Sequence, residues 1–143
     1  MIQDRIAEVI KEFNSQTSWE GKYKELINFG KNMPAYPEEF RTEDNKVRGC
    51  QSQVWLHSSF EDGKIVFEAD SDASIVKGVI AILIKVYSGS TPQEILNTPP
   101  TFLEDIELKQ HLSMSRSNGL ASMLKQINIY AFAYKTKVEM GLL

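Results

Sequence analysis

The 143-residue sequence is 42% hydrophobic and 24% charged, which is typical of one compact domain, here residues 1–143. Its net charge of -3 and its lack of Lys and Arg runs argue against nucleic acid as a partner. Its longest apolar stretch is too short for a membrane helix, and acidic residues interrupt the apolar spacing of the first segment, unlike a signal peptide. We therefore expect a cytoplasmic protein that does not contact a membrane.

The sequence contains a single cysteine, Cys50. One cysteine excludes an internal disulfide, a cluster of thiolate metal ligands and a resolving thiol within the chain, and we expect no metal site. Covalent chemistry at Cys50 must therefore be completed by another molecule.

Two amphipathic helices are predicted in the first thirty residues. Apolar residues recur at helical spacing over residues 2–13, which predicts a helix that packs by one stripe. Thr17 and Glu20 have the spacing of a capping box, so a second helix should begin there and end near Gly30. Residues 33–46 include two prolines and a polar run, which predicts a surface loop without regular structure.

An antiparallel hairpin is predicted in the middle of the chain. Residues 52–60 alternate with the two-residue period of a strand, and residues 65–69 form the expected return strand. Asp62 and Gly63 between them tolerate the positive φ of a tight turn. Val47 is expected to begin a further short strand, so the sheet should have two or three strands.

The second half of the chain is predicted to be helical. Asp70, Ser71 and Asp72 are interpreted as caps of an apolar helix that belongs at the centre of the fold. Two further helix starts are predicted from capping-box patterns that begin at Thr91 and at Thr101. A final helix carries an apolar stripe made of Leu120, Leu124, Ile127, Ala131, Tyr134 and Val138. The predicted fold class is therefore α+β, with a small antiparallel sheet packed against several helices.

Cys50 is the leading candidate for chemistry. A lone cysteine in an intracellular domain is more often an inert buried residue than a reactive one. Cys50, however, follows Gly49 at the entrance of a strand, where core packing has not begun. The neighbouring Lys46 and Arg48 are expected to favour the reactive thiolate. Both interpretations of the residue remain open at this point.

A cysteine hydrolase also needs a histidine base. His57 lies on the same predicted strand as Cys50, roughly 23 Å away in an extended chain, and His111 is more typical of a cap or surface residue. Asp70 and Asp72 are more typical of helix caps than of acid catalysts or metal ligands. Arg116 opposes the dipole of the final helix, which indicates a carboxylate partner or a binding role.

Three segments resemble the SufE family of sulfur-acceptor proteins, in the family's order and spacing. They are VRGCQSQVWL (47–56), ADSDASIVKGVIAILIKVYSG (69–89) followed by TPQEI (91–95), and HLSMSRSNGLASM (111–123). The resemblance covers nearly the whole chain. It implies an α+β fold similar to that of the IscU-type scaffold proteins and a role in iron-sulfur cluster assembly.

The resemblance also implies a reaction and its partners. Family members accept sulfane sulfur from the persulfide of a cysteine desulfurase of the SufS or CsdA type and stimulate its turnover. The chain is then an accessory carrier rather than an enzyme. It needs no cofactor of its own, because the pyridoxal phosphate belongs to the desulfurase. A SufBCD-type scaffold is a candidate recipient of the sulfur.

The family's functional positions can be placed on this sequence. The acceptor cysteine falls on Cys50, the DSDA motif on residues 70–73 and the SRS motif on residues 115–117. Met114 stands where a proline is common in the family, which affects only the local turn. The resemblance implies that the desulfurase is bound by Arg48, Gly49, Gln51, Ser52, Asp70, Asp72 and Arg116.

Transfer between persulfides requires a thiolate and a path to the partner. A persulfide is easily oxidised, so we expect the loop to shelter Cys50 against apolar neighbours such as Val54 or Trp55 and to expose it in the complex. Two alternatives stay open: a docking module that activates the desulfurase without covalent transfer, and a stand-alone thiol enzyme. The sequence leaves the cognate desulfurase open, as well as the choice between monomer and homodimer.

Overall fold

The computed structural model describes residues 1–143 as six α-helices and one two-stranded antiparallel sheet. This arrangement confirms the predicted α+β class. None of the helices combines the length and the apolar character needed to cross a bilayer. In chain order the elements are α1 (Ile2–Asn14), α2 (Trp19–Lys31), β1 (Val54–Glu61), β2 (Lys64–Ser71), α3 (Ser74–Tyr87), α4 (Pro92–Leu96), α5 (Phe102–Asp105) and α6 (Met114–Glu139).

The sheet is a single hairpin whose open end pairs Val54 with Ser71. Its two-residue turn has positive φ at Asp62 (52°) and at Gly63 (79°), as the predicted Asp-Gly turn requires. The return strand extends two residues beyond the predicted residues 65–69, because ladder pairing with β1 continues to Ser71.

The third strand predicted at Val47 is wrong. A single bridge between Lys46 and Trp55 extends this edge of the sheet, and the Val47 amide donates to the Val54 carbonyl at 2.8 Å. Pairing stops there because Gly49 turns the chain with a φ of 89°. The sheet therefore has two strands, and the loop that carries Cys50 leaves its edge.

Helix α3 is buried at the centre of the fold, as its composition predicts, and packs against α2, α6 and β2. It approaches α2 so closely that a Cβ added at Gly78 would lie 2.1 Å from the Leu26 carbonyl oxygen. The two backbones are therefore in contact, and only glycine fits at this position. The buried residues of α3 are Val76, Gly78, Val79, Ile80, Ala81, Ile82, Leu83, Val86 and Tyr87.

The helix start predicted at Thr91 is confirmed. The Thr91 hydroxyl accepts from the Glu94 amide at 3.1 Å, and the Glu94 carboxylate accepts from the Thr91 amide at 3.0 Å, which completes a capping box. Ser113 caps α6 by accepting from the Arg116 amide at 3.4 Å. The long final helix therefore begins with a serine cap.

Other predicted caps are wrong. Ser18, one residue after Thr17, caps α2 by accepting from the Gly21 amide at 3.1 Å. Thr101 makes no cap hydrogen bond, because it already has helical φ and ψ of -64° and -23°. A threonine hydroxyl can cap a helix, but the backbone conformation decides whether that residue stands at the N-cap position.

Asp70 and Asp72 are not helix caps either. Helix α3 has Ala73 at its N-cap position and no side-chain cap bond. Asp70 instead belongs to β2, where it pairs with Trp55 across the hairpin. The interpretation failed because the strand continues past residue 69 and takes the first aspartate into the sheet.

Residues 33–46 form a cover over the hairpin and contain two short 3-10 turns, Glu38–Phe40 and Glu43–Asn45, where no regular structure was predicted. Arg41 fastens this cover: its guanidinium lies 4.7 Å from the centre of the Trp55 ring, and Nη1 lies 2.9 Å from a carboxylate oxygen of Asp70. The segment is therefore tied to both strands by one side chain.

We predict that Gly78→Ala destabilises the fold. Alanine has a higher helix propensity than glycine by about 1 kcal/mol. The clash of its Cβ with the Leu26 carbonyl should outweigh this gain and lower the free energy of unfolding by about 3 kcal/mol. Urea unfolding followed by circular dichroism measures the difference. Gly21→Ala in α2 is the control, since its new Cβ meets no backbone atom, only side-chain atoms, chiefly the flexible end of Gln16 at 2.6 Å and the Ser18 hydroxyl at 3.3 Å. Equal stability of the two variants would contradict the packing described here.

Candidate functional site

Cys50 lies in a short loop, residues 48–53, whose two ends are fastened together. The amide of Val47, just before the loop, donates to the carbonyl of Val54, just after it, at 2.8 Å. The Asp72 carboxylate accepts from the Gln53 amide at 3.0 Å and from its side chain at 3.3 Å. The loop is thus a closed projection from the edge of the hairpin.

Gly49 brings the loop against α6. Its φ of 89° is strained for any residue with a side chain, and an added Cβ would lie 2.5 Å from the Ser122 hydroxyl oxygen. Two separate constraints therefore demand glycine before the cysteine.

The thiol of Cys50 packs on the same helix. Its Sγ lies 3.6 Å from the Gly119 carbonyl oxygen, the geometry of a weak hydrogen bond donated by the thiol. A Cβ added at Gly119 would already touch this sulfur at 3.4 Å, so the absence of a side chain there makes room for the thiol. Cys50 is half-buried and keeps a route to solvent.

Burial raises the pKa of the Cys50 thiol, and no neighbouring charge offsets it. The prediction that Lys46 and Arg48 favour the thiolate is therefore wrong for the free chain. The Lys46 ammonium forms an ion pair with Glu43, at 2.8 Å from a carboxylate oxygen. Arg48 is exposed at the loop surface. In this conformation the site holds a protonated thiol.

Cys50 opens into a cavity of about 250 Å³ between the loop, α3 and the start of α6. One side of the cavity is apolar and is formed by Val76, Val79 and Met123. These residues line the cavity beside Cys50, and the predicted Val54 and Trp55 do not. The polar side is lined by Gln51, Ser52, Ser113, Ser115 and Arg116.

Arg116 is the one cationic residue that lines this cavity. It is exposed, and no carboxylate lies within the 4.0 Å of an ion pair, although ten such pairs occur elsewhere in the chain. Of the two explanations predicted from the sequence, an internal carboxylate partner is therefore wrong. A binding role remains a prediction.

Neither of the two aspartates lines the cavity. Asp70 pairs with Arg41 at 2.9 Å and with Lys77 at 3.3 Å. Burial opposes ionisation of Asp70, but hydrogen bonds from Arg41, the Ser71 amide and Lys77 outweigh it and lower the pKa of the carboxyl. Asp72 holds the end of the Cys50 loop through Gln53.

Neither histidine contributes to the site. The His57 ring stacks on Phe40 with 3.6 Å between ring centres, and the His111 ring stacks on Trp19 with 3.3 Å between centres. Neither residue lines the cavity. The Cys50 thiol therefore has no imidazole base, and the arrangement offers a nucleophile without the machinery of a thiol hydrolase.

Sequence reasoning missed the α6 side of the site, formed by Gly119, Ser122 and Met123. Gly119 interrupts a predicted helix, and a glycine inside a helix indicates a close approach. The sequence contains this glycine, but it does not show which residue approaches it. Residues 50 and 119 meet only in the folded chain.

The chain matches the family model described as the Fe-S metabolism associated domain, SufE, over residues 7–131. It is 41% identical over 136 residues to the chloroplastic and mitochondrial SufE-like protein 1 of Arabidopsis thaliana, a match that covers 94% of this chain but only 37% of that protein. An uncharacterized SufE-like protein of Synechocystis is 37% identical, with 95% of this chain and 86% of that protein covered.

A further uncharacterized SufE-like protein, from Rhizobium meliloti, is 42% identical over 125 residues, which is 84% of this chain and 89% of that protein. Among solved structures, a hypothetical protein of Thermus thermophilus superposes with a TM-score of 0.77 at 22% identity and covers 92% of this chain and 96% of its own, which supports the fold. From the family model and these relatives together, the chain belongs to the SufE family, whose domain is described as associated with Fe-S metabolism.

Proposed function

We propose that the chain accepts sulfane sulfur on Cys50 from the persulfide of a cysteine desulfurase of the SufS or CsdA type. The single observation that supports this most is a lone thiol on a fastened loop, lining a cavity with no base beside it. Such a site cannot activate a small substrate by itself, but it can exchange sulfur with an already activated one. Family membership supplies the link to iron-sulfur metabolism.

The proposed step conserves atoms and electrons. The Cys50 thiolate attacks the outer sulfur of the desulfurase persulfide, a new S–S bond forms on Cys50, and the old S–S bond breaks. The desulfurase cysteine leaves as a thiolate, and Cys50 now carries the persulfide. No resolving cysteine exists in this chain to displace that sulfur as sulfide. A SufBCD-type scaffold is the proposed recipient.

The partner is proposed to expose and activate the thiol. In the free chain the sulfur is half-buried and its pKa is raised, which disfavours attack. Movement of residues 48–53 away from Gly119 would remove the burial that raises the pKa. The chain itself needs no cofactor in this scheme, since the pyridoxal phosphate belongs to the desulfurase.

The proposed docking surface surrounds the cavity. Exposed Arg48, Gly49 and Gln51 lie on the loop, and Ser52 and Arg116 line the cavity beside them. Together they form a polar and cationic rim around the thiol, suited to a partner surface with acidic or hydrogen-bonding groups.

Asp70 and Asp72 are proposed to support this surface from behind. Asp72 holds the loop through Gln53, and Asp70 ties the cover segment through Arg41. Their contribution to binding the desulfurase would thus be mainly to position the loop.

We predict that incubation with a cysteine desulfurase and free cysteine adds the mass of one sulfur atom to the chain. Intact-mass spectrometry detects the gain, reductant reverses it, and Cys50→Ser abolishes it because the acceptor sulfur is absent. Omission of the desulfurase is the second control. An unchanged mass under conditions where the enzyme turns over would contradict sulfur transfer.

Alkylation of Cys50 by iodoacetamide should respond to pH as expected for a buried thiol. Because burial raises the pKa, the folded chain should react more slowly than the urea-unfolded chain at neutral pH, and its rate should level off at higher pH. Mass spectrometry of timed samples gives both profiles. Identical pH profiles of the folded and the unfolded chain would show that the thiol is not sheltered.

Gly49→Ala should open the loop. The added Cβ would collide with Ser122, so we expect the closed conformation to weaken and Cys50 to be alkylated severalfold faster. Gly63→Ala is the matched control: its φ of 79° carries the same backbone cost of about 1 kcal/mol, but nothing lies within 4 Å. Equal alkylation of Cys50 in the two variants would refute the role assigned to contact with α6.

A further inference from the structure

Met114, at the start of α6, is an exposed apolar residue that the packing of the fold does not explain. It is 81% exposed, so it contributes little to the core. Eight large hydrophobic residues of the chain are exposed; one is Met1 and six lie between residues 129 and 143. Met114 is therefore the only one of them away from both ends of the chain. One exposed methionine needs no explanation by itself, but its surroundings give two further observations.

The first turn of α6 lacks the residues that stabilise the start of a helix. Ser113 is the N-cap, Met114 is the first helical residue and Arg116 is the third. The helix dipole favours acidic side chains in this turn, but the turn has none, and the cation of Arg116 opposes the dipole. Residues that contradict a local preference without a compensating contact are typical of functional positions. The two side chains are therefore better explained by a partner than by the helix.

Met114 lies beside the Cys50 cavity without lining it. The residues before and after it in the chain, Ser113 and Ser115, both line the cavity, and Met114 does not. Gly119, whose carbonyl contacts the Cys50 sulfur, lies five residues further on, about 8 Å along the helix axis. The methionine side chain is thus held next to the site on a rigid element and is left exposed to solvent.

A partner that delivers sulfur to Cys50 has to cover this cavity. A specific interface of ordinary size buries about 800 Å² on each partner, which corresponds to a disc of about 16 Å radius. Met114 falls inside such a disc centred on the cavity, because its chain neighbours are part of the cavity lining. Docking of the desulfurase would therefore also cover Met114.

Met114 supplies what the polar rim of the cavity lacks. Exposed charged and polar groups such as Arg116 direct a partner and set its orientation more than they add affinity. Most of the binding energy of an interface comes from a few buried anchors. Methionine is unbranched and polarizable, so it fills irregular apolar pockets, and it is enriched in interfaces together with arginine.

We propose that Met114 is the apolar anchor by which this chain docks on its cysteine desulfurase. The matching surface of the desulfurase is an apolar pocket that receives Met114, with a carboxylate beside it that pairs with Arg116. This inference rests on the proposed function and adds to it the residue that supplies affinity and the chemistry of the surface that receives it.

Titration calorimetry with the SufS-type desulfurase of the same organism tests the anchor. Met114→Glu should raise the Kd at least about tenfold, because it places a charge in an apolar pocket. The new carboxylate favours the start of α6, so a weakened helix would not be the cause. Met140→Glu is the matched control, since Met140 is 67% exposed about 39 Å along the same helix. Equal Kd values for the two variants overturn the proposal.

Two further variants separate the side chain from the charge. The Met114 amide donates no hydrogen bond, and Ser113 has the extended ψ of 161° that a residue before proline adopts. Met114→Pro should therefore keep the helix start but remove the flexible side chain, and it should bind several-fold more weakly than the wild type. Met114→Leu should bind within about threefold of the wild type. Full binding by Met114→Pro, or weak binding by Met114→Leu, overturns the proposal.

Sulfur loading separates this proposal from the function on which it rests. At a desulfurase concentration that saturates each variant, Met114→Glu should gain one sulfur atom on Cys50 as the wild type does, because the anchor sets affinity and not chemistry. Intact-mass spectrometry measures the gain. Sulfur gain by both chains with equal affinity overturns only the anchor, whereas a wild-type chain that neither binds nor gains sulfur overturns the proposed function as well.

Photocrosslinking identifies what covers Met114. The photoreactive residue p-benzoylphenylalanine at position 114 should capture the desulfurase from a mixture of the two purified proteins, and the same residue at position 140 should not. Capture of a second copy of this chain instead of the desulfurase, or equal capture of the desulfurase at both positions, overturns the proposal.

Discussion

The site depends on how the loop of residues 48–53 is closed. A backbone hydrogen bond from Val47 to Val54 joins its ends, and the Asp72 carboxylate holds Gln53 next to them. With its ends fixed, the loop cannot extend the sheet and must project against α6. There Gly49 and Gly119 remove the two side chains that would keep Cys50 away from the helix.

The closed loop explains the chemical state of the thiol. Contact with α6 buries half of Cys50 beside an apolar wall and raises its pKa, so the resting residue is protected rather than reactive. A reactive persulfide carrier benefits from such shelter, because sulfane sulfur is readily oxidised or reduced in solution. In the proposed function, the partner therefore exposes the sulfur and favours its ionisation, because the free chain does neither.

The sequence predicts local structure well where one interaction decides it. The Asp62-Gly63 turn and the capping box of Thr91 and Glu94 are confirmed because both depend on residues close in the chain. The aspartate caps are wrong because pairing across the hairpin takes Asp70 into a strand. The apolar shelter of Cys50 is likewise formed by residues far along the chain, which periodicity cannot place.

The central claim is that Cys50 itself carries the sulfur, and desulfurase turnover with saturating chain tests it most directly. Wild-type chain should stimulate the enzyme, whereas Cys50→Ser should bind with similar affinity and give no stimulation, because the acceptor sulfur is missing. Retention of full stimulation by Cys50→Ser would contradict the account and identify the chain as an activator that docks without accepting sulfur.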